Sequence, residues 1–412
     1  MRRDLRKAFS TALLCFIALG QAHAVDLKFN FAPGTTPPGF AQVSPSDIYS
    51  SDRGYGFEPG TKIGDRPFYF SVAVSEGNYR VTVTLGDADG ESTTTVKAEL
   101  RRLMLEHVHT ERGQFTTRTF IVNVRNPAIS TGGKVRLKSR ERTTEKWDWD
   151  EKLTLEFNDA RPRLRELEIS SANDLPTIFI LGDSTVCDQP LEPWNSWGQM
   201  LPRFFGPGVA IANHAESGES LRSSLAAHRL DKVLSVMKSG DWLFIQYGHN
   251  DMKEHGPGVG AFTTYTADLK KFIAGALQHG GNVVLVTPMN RKSFSPDGII
   301  TNTLGDYPEA VRQTAAEEHL PLIDLNAMSK TLYEAIGPQN IGKAFQDGTH
   351  HNSYGSYELA RCIVEGIKQN QLPIVKYLAS DAQPFDPAHP DLPDTFHIPA
   401  SPNHSTVKPD GN

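Results

Sequence analysis

The sequence predicts a three-layer α/β fold, a five-stranded parallel sheet with helices on both faces, preceded by an antiparallel β-sandwich. Three observations predict it. Residues 25–172 read in a period of two, the chain changes near residue 176 to short continuous apolar runs alternating with helical stretches, and Gly, Asp, Asn and Pro clusters punctuate both halves. A chain of 412 residues is too long for one ordinary core, so two domains are expected, 25–172 and 173–375, with a Pro-rich tail at 376–412.

Residues 1–24 read as a secretory signal. Arg2, Arg3, Arg6 and Lys7 form a basic end, the run from Ala12 to Leu19 is apolar, and Ala22-His23-Ala24 is a small-x-small cleavage site. The run is too short to span a bilayer, and export to a periplasm or medium is expected. The leader carries four basic and one acidic side chain, so the net charge of −6 becomes −9 without it. An acidic chain with no Lys or Arg run makes nucleic acid and anionic membrane surfaces poor partners. Outside the leader only Cys187 and Cys362 remain, enough for one bridge at most, so stability must come from packed cores. Whether the two pair is open.

In the first half, residues 79–85, 116–124, 153–157 and 164–169 alternate apolar and polar side chains and are rich in β-branched types. Short strands at near-regular spacing, with no helical stretch among them, predict a sandwich of the jelly-roll kind. Trp147 and Trp149 would share one face by alternation, as a carbohydrate platform or as sandwich interior.

In the second half the mainly apolar runs at 177–181, 209–212, 242–245, 283–286 and 322–325 are continuous rather than alternating, as strands covered on both faces are. Helices are expected near 221–238, 264–279, 308–319 and 353–369. Ligands on such sheets bind outside the carboxyl ends of the strands. After about residue 375 periodicity is lost, and the tail is expected to be loosely attached.

Four motifs fall at those carboxyl ends. Gly182-Asp183-Ser184-Thr185 follows the first run and presents a serine nucleophile whose own N–H is free for an oxyanion. Gly218 follows the second run, where a backbone N–H can approach a substrate closely. Gly248-His249-Asn250-Asp251 follows the third and offers the Asn250 amide as a donor, with His249 and Asp251 bracing the loop. Asp347-Gly348-Thr349-His350 precedes the last helix; its spacing lets Asp347 hold Nδ1–H of His350 while Nε2 faces the nucleophile. His351 is a rival base without that offset. Together these supply an ester hydrolase's nucleophile, base, orienting carboxylate and oxyanion donors. The chemistry is complete without a metal or cofactor, and no metal-ligand spacing such as HExxH occurs.

The order Ser184, Gly218, Asn250, His350 resembles the four marker blocks of the SGNH, or GDSL-type, hydrolase superfamily, whose fold is flavodoxin-like. Gly182-Asp183-Ser184-Thr185-Val186, the GHND tetrad and Trp197-Gly198-Gln199 are similar in particular to the rhamnogalacturonan acetylesterase-like enzymes, carbohydrate esterase family 12. The resemblance covers about residues 176–370. It implies nucleophile Ser184, base His350, orienting Asp347, and an oxyanion hole from the N–H groups of Ser184 and Gly218 and the side chain of Asn250. The first half resembles, less specifically, a galactose-binding-like domain. One departure stands out: an Arg often follows the second-block glycine in that group, and this chain has Glu219.

The expected reaction is removal of acetyl groups from a plant cell-wall polysaccharide or oligosaccharide through a serine acyl-enzyme. The neutral base predicts activity rising as pH passes roughly 6.5, the ordinary imidazole value. Trp194, Tyr247, Met289 and Arg291 are the candidate substrate contacts, Arg291 for a uronate; Trp197 is expected in the core. Two other readings are an SGNH lipase, thioesterase or arylesterase, which would want an apolar acyl pocket, and an inert carbohydrate-binding protein.

Overall fold

The computed structural model describes residues 25–64 and 66–410, so the leader reading lies outside the described residues. The first strands are β1 (Asp26–Asn30), β2 (Ala41–Gln42), β3 (Tyr55–Phe57), β4 (Phe68–Ala73) and β5 (Gly77–Gly86). They are followed by β6 (Ser92–Ala98), β7 (Arg102–Thr110), β8 (Phe115–Val124), β9 (Lys152–Arg161) and β10 (Leu164–Ser171). They form two sheets, β2-β1-β10-β5-β8 and β3-β4-β9-β6-β7, antiparallel except for the β1–β2 pair. Inward residues of both sheets meet in one core: Val81, Val83, Phe120 and Leu167 of the first face Phe57, Phe70, Val96 and Leu155 of the second. The alternation read from the sequence is this inward set.

The parallel sheet follows: β11 (Thr177–Gly182), β12 (Ala210–Asn213), β13 (Trp242–Gln246), β14 (Asn282–Val286) and β15 (Leu322–Ile323). Its order is β12-β11-β13-β14-β15. The chain leaves β11 for β12 on one side and returns to β13 on the other, so a topological switch point lies between β11 and β13. Every residue of β11 and β13 is buried, which explains their unbroken apolar runs.

The helices are α1 (Trp197–Met200), α2 (Leu221–Ala226), α3 (Arg229–Val236), α4 (Thr266–Gln278), α5 (Tyr307–Glu317), α6 (Leu325–Ile336) and α7 (Ser353–Gln369). The single helix expected at 221–238 is two, because His228 takes a left-handed φ of 61° and ends the run. Helix α6 was not expected. Asp324, whose side chain accepts from the N–H of Ala327, caps its start, and Gly337 at φ 79° ends it.

Buried charges join the halves. Arg102 donates from Nε to Asp188 at 2.5 Å and from Nη2 to Asp148 at 2.8 Å, and Arg229 pairs with Glu141 in a two-bond fork at 2.9 and 2.8 Å. Arg101 donates to the carbonyls of Gln189 and Trp194 at 2.9 and 3.0 Å, so the β-sandwich holds the loop behind Ser184.

Two sequence expectations fail here. The tail is not loosely attached: Ser401 is buried and donates to Glu156 at 2.7 Å, Lys97 donates to Ser401 at 2.8 Å, and Ser405 N–H donates to Glu192 O at 2.8 Å. It is held by buried charge and by scattered apolar contacts, Phe385 in the core with Phe396 and Ile398 packed against it, and scattered contacts leave no period to detect. Trp147 and Trp149 share no strand face either, since residues 146–148 form a 3₁₀ turn. Trp149 is buried under the Arg125 guanidinium, 4.5 Å from its ring centroid; Trp147 packs on Tyr69 at 5.4 Å beside a cleft of about 460 Å³.

Candidate active site

Strand β11 delivers Ser184. At Gly182 a Cβ would lie 2.6 Å from Val186 Cγ2 and 2.8 Å from the Gln246 carbonyl, so only glycine fits where the chain leaves the sheet. The turn is locked by Asp183, whose Oδ1 accepts from Thr185 N at 2.9 Å and Thr185 Oγ1 at 2.7 Å. Its Oδ2 faces His249 Nδ1 at 3.3 Å, and His249 Nε2 faces the Met289 carbonyl at 3.1 Å. His249 thus ties the loops after β11, β13 and β14 together. Burial works against ionisation of Asp183, but His249 and the Thr185 bonds hold its pKa below the ordinary value.

Ser184 Oγ lies 2.8 Å from His350 Nε2, and His350 Nδ1 lies 2.9 Å from Asp347 Oδ2. Asp347 Oδ1 accepts from the N–H groups of Thr349 and His350 at 2.6 and 2.7 Å. Burial opposes the charge on Asp347, yet these bonds and the His350 ring keep it well below the usual carboxylate range. A charged Asp347 can only accept, so Nδ1 carries the ring proton and Nε2 is left to accept from Ser184 Oγ–H. The rival His351 is buried with Nε2 on Tyr333 Oη at 2.8 Å; burial first, then the neighbouring His350, pushes its pKa down to about 3.

Among the described residues, neither the N–H of Ser184 nor that of Gly218 has an acceptor. Gly218 needs its glycine, at φ 77°. One N–H of the Asn250 amide donates to the Glu219 carbonyl at 3.0 Å, which fixes the amide plane and leaves its second N–H for another acceptor. Asp251 braces the loop by accepting from Leu221 N at 2.9 Å.

The substrate contacts expected from sequence fare differently. Tyr247 and Met289 are corrected: Tyr247 is buried with its hydroxyl 2.9 Å from Ser224 Oγ, and Met289 is fully buried against Gln246. Both sit at strand ends but point into the helical layers. Arg291 is spent on the loops, donating to Thr349 Oγ1, Thr303 O and His249 O at 3.2, 3.2 and 3.3 Å. Trp194 stands edge-on to His350 with ring centroids 5.9 Å apart, and its Nε1–H donates to Ser405 O at 2.9 Å. Trp197 is core, bonded to Gln246 at 2.8 Å. Glu219 is buried and held in ion pairs with Lys138 at 2.8 Å and Arg229 at 3.6 Å. Cys187 and Cys362 are separate buried thiols.

Sequence reasoning missed Gln189, Lys138, Arg140 and Asp410. Gln189 Nε2–H donates to Ser184 O at 2.7 Å. Lys138, Arg140 and Asp410 line a cleft of about 450 Å³ with Gln189, Trp194 and Ser217. No local pattern marks them, because three separate stretches of chain supply them.

A serine at a switch point, an imidazole bonded to it and two N–H groups without acceptors among the described residues make up a candidate ester hydrolase site. The profile of the GDSL-like lipase/acylhydrolase family matches residues 180–356, and the chain belongs to this family of ester hydrolases. Rhamnogalacturonan acetylesterase RhgT of Bacillus subtilis is 36% identical over 220 residues, covering 49% of this chain and 94% of that protein. The uncharacterized esterase YxiM of Bacillus subtilis is 28% identical over 398 residues, 87% of this chain and 95% of its own length. The rhamnogalacturonan acetylesterase of Emericella nidulans is 25% identical over 233 residues, 50% of this chain and 91% of that protein. No helix among the described residues is long and apolar enough to cross a membrane.

Proposed function

We propose that this chain is a secreted carbohydrate O-acetylesterase acting on an acetylated plant cell-wall polysaccharide, pectic rhamnogalacturonan or a related glycan. The observation that carries it is the unbroken line Asp347–His350–Ser184, with bonds of 2.9 and 2.8 Å, at the switch point of the sheet. Ser184 Oγ attacks the acetyl carbonyl as His350 Nε2 takes its proton; the developing oxyanion is met by the N–H groups of Ser184 and Gly218 and the free N–H of Asn250. His350 then returns the proton to the sugar oxygen, the alcohol leaves, and water activated by the same imidazole releases acetate.

The rhamnogalacturonan acetylesterases among the relatives support the glycan, the basic-apolar-small leader supports export, and we read the first half as a galactose-binding-like jelly-roll domain. The test is acetate release from acetylated pectin and acetylxylan alongside long-chain acyl esters, with Ser184→Ala as control. Release from pectin by the native chain and none by the variant is expected. A preference for long acyl chains, or equal release by Ser184→Ala, would overturn the reading.

A further inference from the structure

The tail, after packing along the β-sandwich, ends the described chain over Gly218, at a cleft lined by Arg140, Gln189, Trp194 and Ser217. A Cβ placed on Gly218 would lie 3.0 Å from Asp410 Cβ and 3.5 Å from Lys138 Nζ, so Asp410 passes directly above a candidate oxyanion donor. Its carboxylate is held by Arg140, with Nη1 to Oδ2 at 2.6 Å.

Arg140 comes from the loop between β8 and β9, in the other half of the chain, and its geometry is built for this. Nε lies 2.8 Å from Glu216 and 3.2 Å from Glu145, and Nη2 donates to Glu216 and to the Ser217 carbonyl. These fixed bonds leave Nη1 as the nitrogen turned to the cleft, pre-positioned beside Ser217 and Gly218. The buried layer behind it is balanced: Glu216 on Arg140, Glu219 on Lys138 and Arg229, Glu141 on Arg229. Burial, then Glu216, pushes Glu145 up to about 10, and burial, then Glu141, raises Glu216 as well. The Asp410 side chain is 67% exposed against 20% for Arg140, so the carboxylate is a surface group resting on a fixed cationic seat. An ion pair with so exposed a partner holds weakly and can be displaced.

We propose that Arg140 is the carboxylate-binding residue of this cleft, the specificity contact for an acidic sugar of the glycan, and that Asp410 is its intramolecular occupant, imitating that carboxylate. The proposal rests on the carbohydrate-esterase reading for its ligand class. Under it the β-sandwich half shapes substrate choice by lending one guanidinium nitrogen, and the tail competes with substrate for it.

The experiment is calorimetric titration of galacturonate and of galactose into the full chain and into Asp410→Ala, a surface change that does not touch the core. Galacturonate should bind Asp410→Ala roughly three- to tenfold more tightly than the native chain, and galactose should bind both weakly and equally. Arg140→Gln placed on the Asp410→Ala background should erase the galacturonate preference. Equal galacturonate affinity in the native chain and Asp410→Ala, a matching gain for galactose, or a preference that survives Arg140→Gln would each overturn the proposal. Should Arg140→Gln not fold, the Asp410→Ala comparison decides alone. Because binding needs no turnover, these results are independent of the acetate-release assay: that assay can fail while the carboxylate seat stands, and the reverse.

Discussion

Replacing Asp347 by Asn changes one heavy atom and tests how proton placement on His350 is set. Oδ1 of Asp347 accepts from two backbone N–H groups at 2.6 and 2.7 Å, so in Asp347→Asn the amide oxygen must take that position. The NH₂ then falls where Oδ2 now lies, 2.9 Å from His350 Nδ1, and it can only donate. Nδ1 must accept, the ring proton moves to Nε2, and Nε2 points it at Ser184 Oγ across 2.8 Å. A base already carrying a proton cannot take one. The expected fall in kcat is on the order of 10⁴-fold, about 5 kcal/mol in the barrier, as for tautomer inversion in catalytic triads generally. Both backbone bonds survive, so the loss of folding stability should be only about 1–2 kcal/mol. The assay is p-nitrophenyl acetate hydrolysis with a thermal melt on the same sample. A kcat within tenfold of the native value, or a fall that tracks unfolding, would refute the argument. Since the native Asp347 pKa is depressed, its stabilising charge is present above the ordinary carboxylate range and is lost only as pH falls through its folded value, so an acid limb of the native rate profile near pH 6 does not come from Asp347.

Asn250→Ala removes one oxyanion donor and should cost on the order of 3 kcal/mol in the barrier without unfolding, read as kcat beside an unchanged melt. Gly218→Ala must bear φ 77° and a contact 3.0 Å from Asp410 Cβ; strain of ~1–2 kcal/mol and a displaced N–H should lower kcat at least tenfold, and an unaffected kcat would remove Gly218 from the site. Gly198→Ala sets a Cβ 2.2 Å from the Val186 carbonyl, and a destabilisation of ~2 kcal/mol or more should appear as a lower Tm. Asp251→Asn tests pH linkage. Burial raises Asp251 to about 8, and its Oδ2 has no partner among the described residues, so the folded chain holds a proton that the unfolded chain releases near pH 4. Native stability should therefore fall with pH between about 4 and 8, and the Tm of Asp251→Asn relative to native should climb over that window; a difference constant with pH would count against the shift.

The continuous runs of β11 and β13 were legible because burial on both faces leaves no room for polar residues. Ser184, Gly218, Asn250 and His350 were legible because strand ends and the last helix are local features, and the order of the chain puts them at one sheet edge. Tyr247 and Met289 show where that logic stops. Proximity to a strand end does not say which way a side chain points, and both enter the helical layers. Arg140 and Asp410 lie beyond it altogether, since their meeting depends on how the sandwich and tail pack on the sheet.

That dependence explains why so much charge is buried between the halves. Ser184 is itself nearly inaccessible, 1% exposed, and its surroundings are set by loops rather than by the sheet alone. Arg101 holds the carbonyls of Gln189 and Trp194, Gln189 holds the Ser184 carbonyl, and Trp194 stands edge-on to His350 while donating to the tail at Ser405. A β-sandwich arginine, the Ser184 turn, the Trp194 loop beside His350 and the tail are thus linked by consecutive contacts. Buried ion pairs add little net stability, but breaking one side of such a pair strands a charge, so they fix relative position strongly. The halves are therefore held in one arrangement, and a cleft built from both of them can present Arg140 at a constant distance from Gly218.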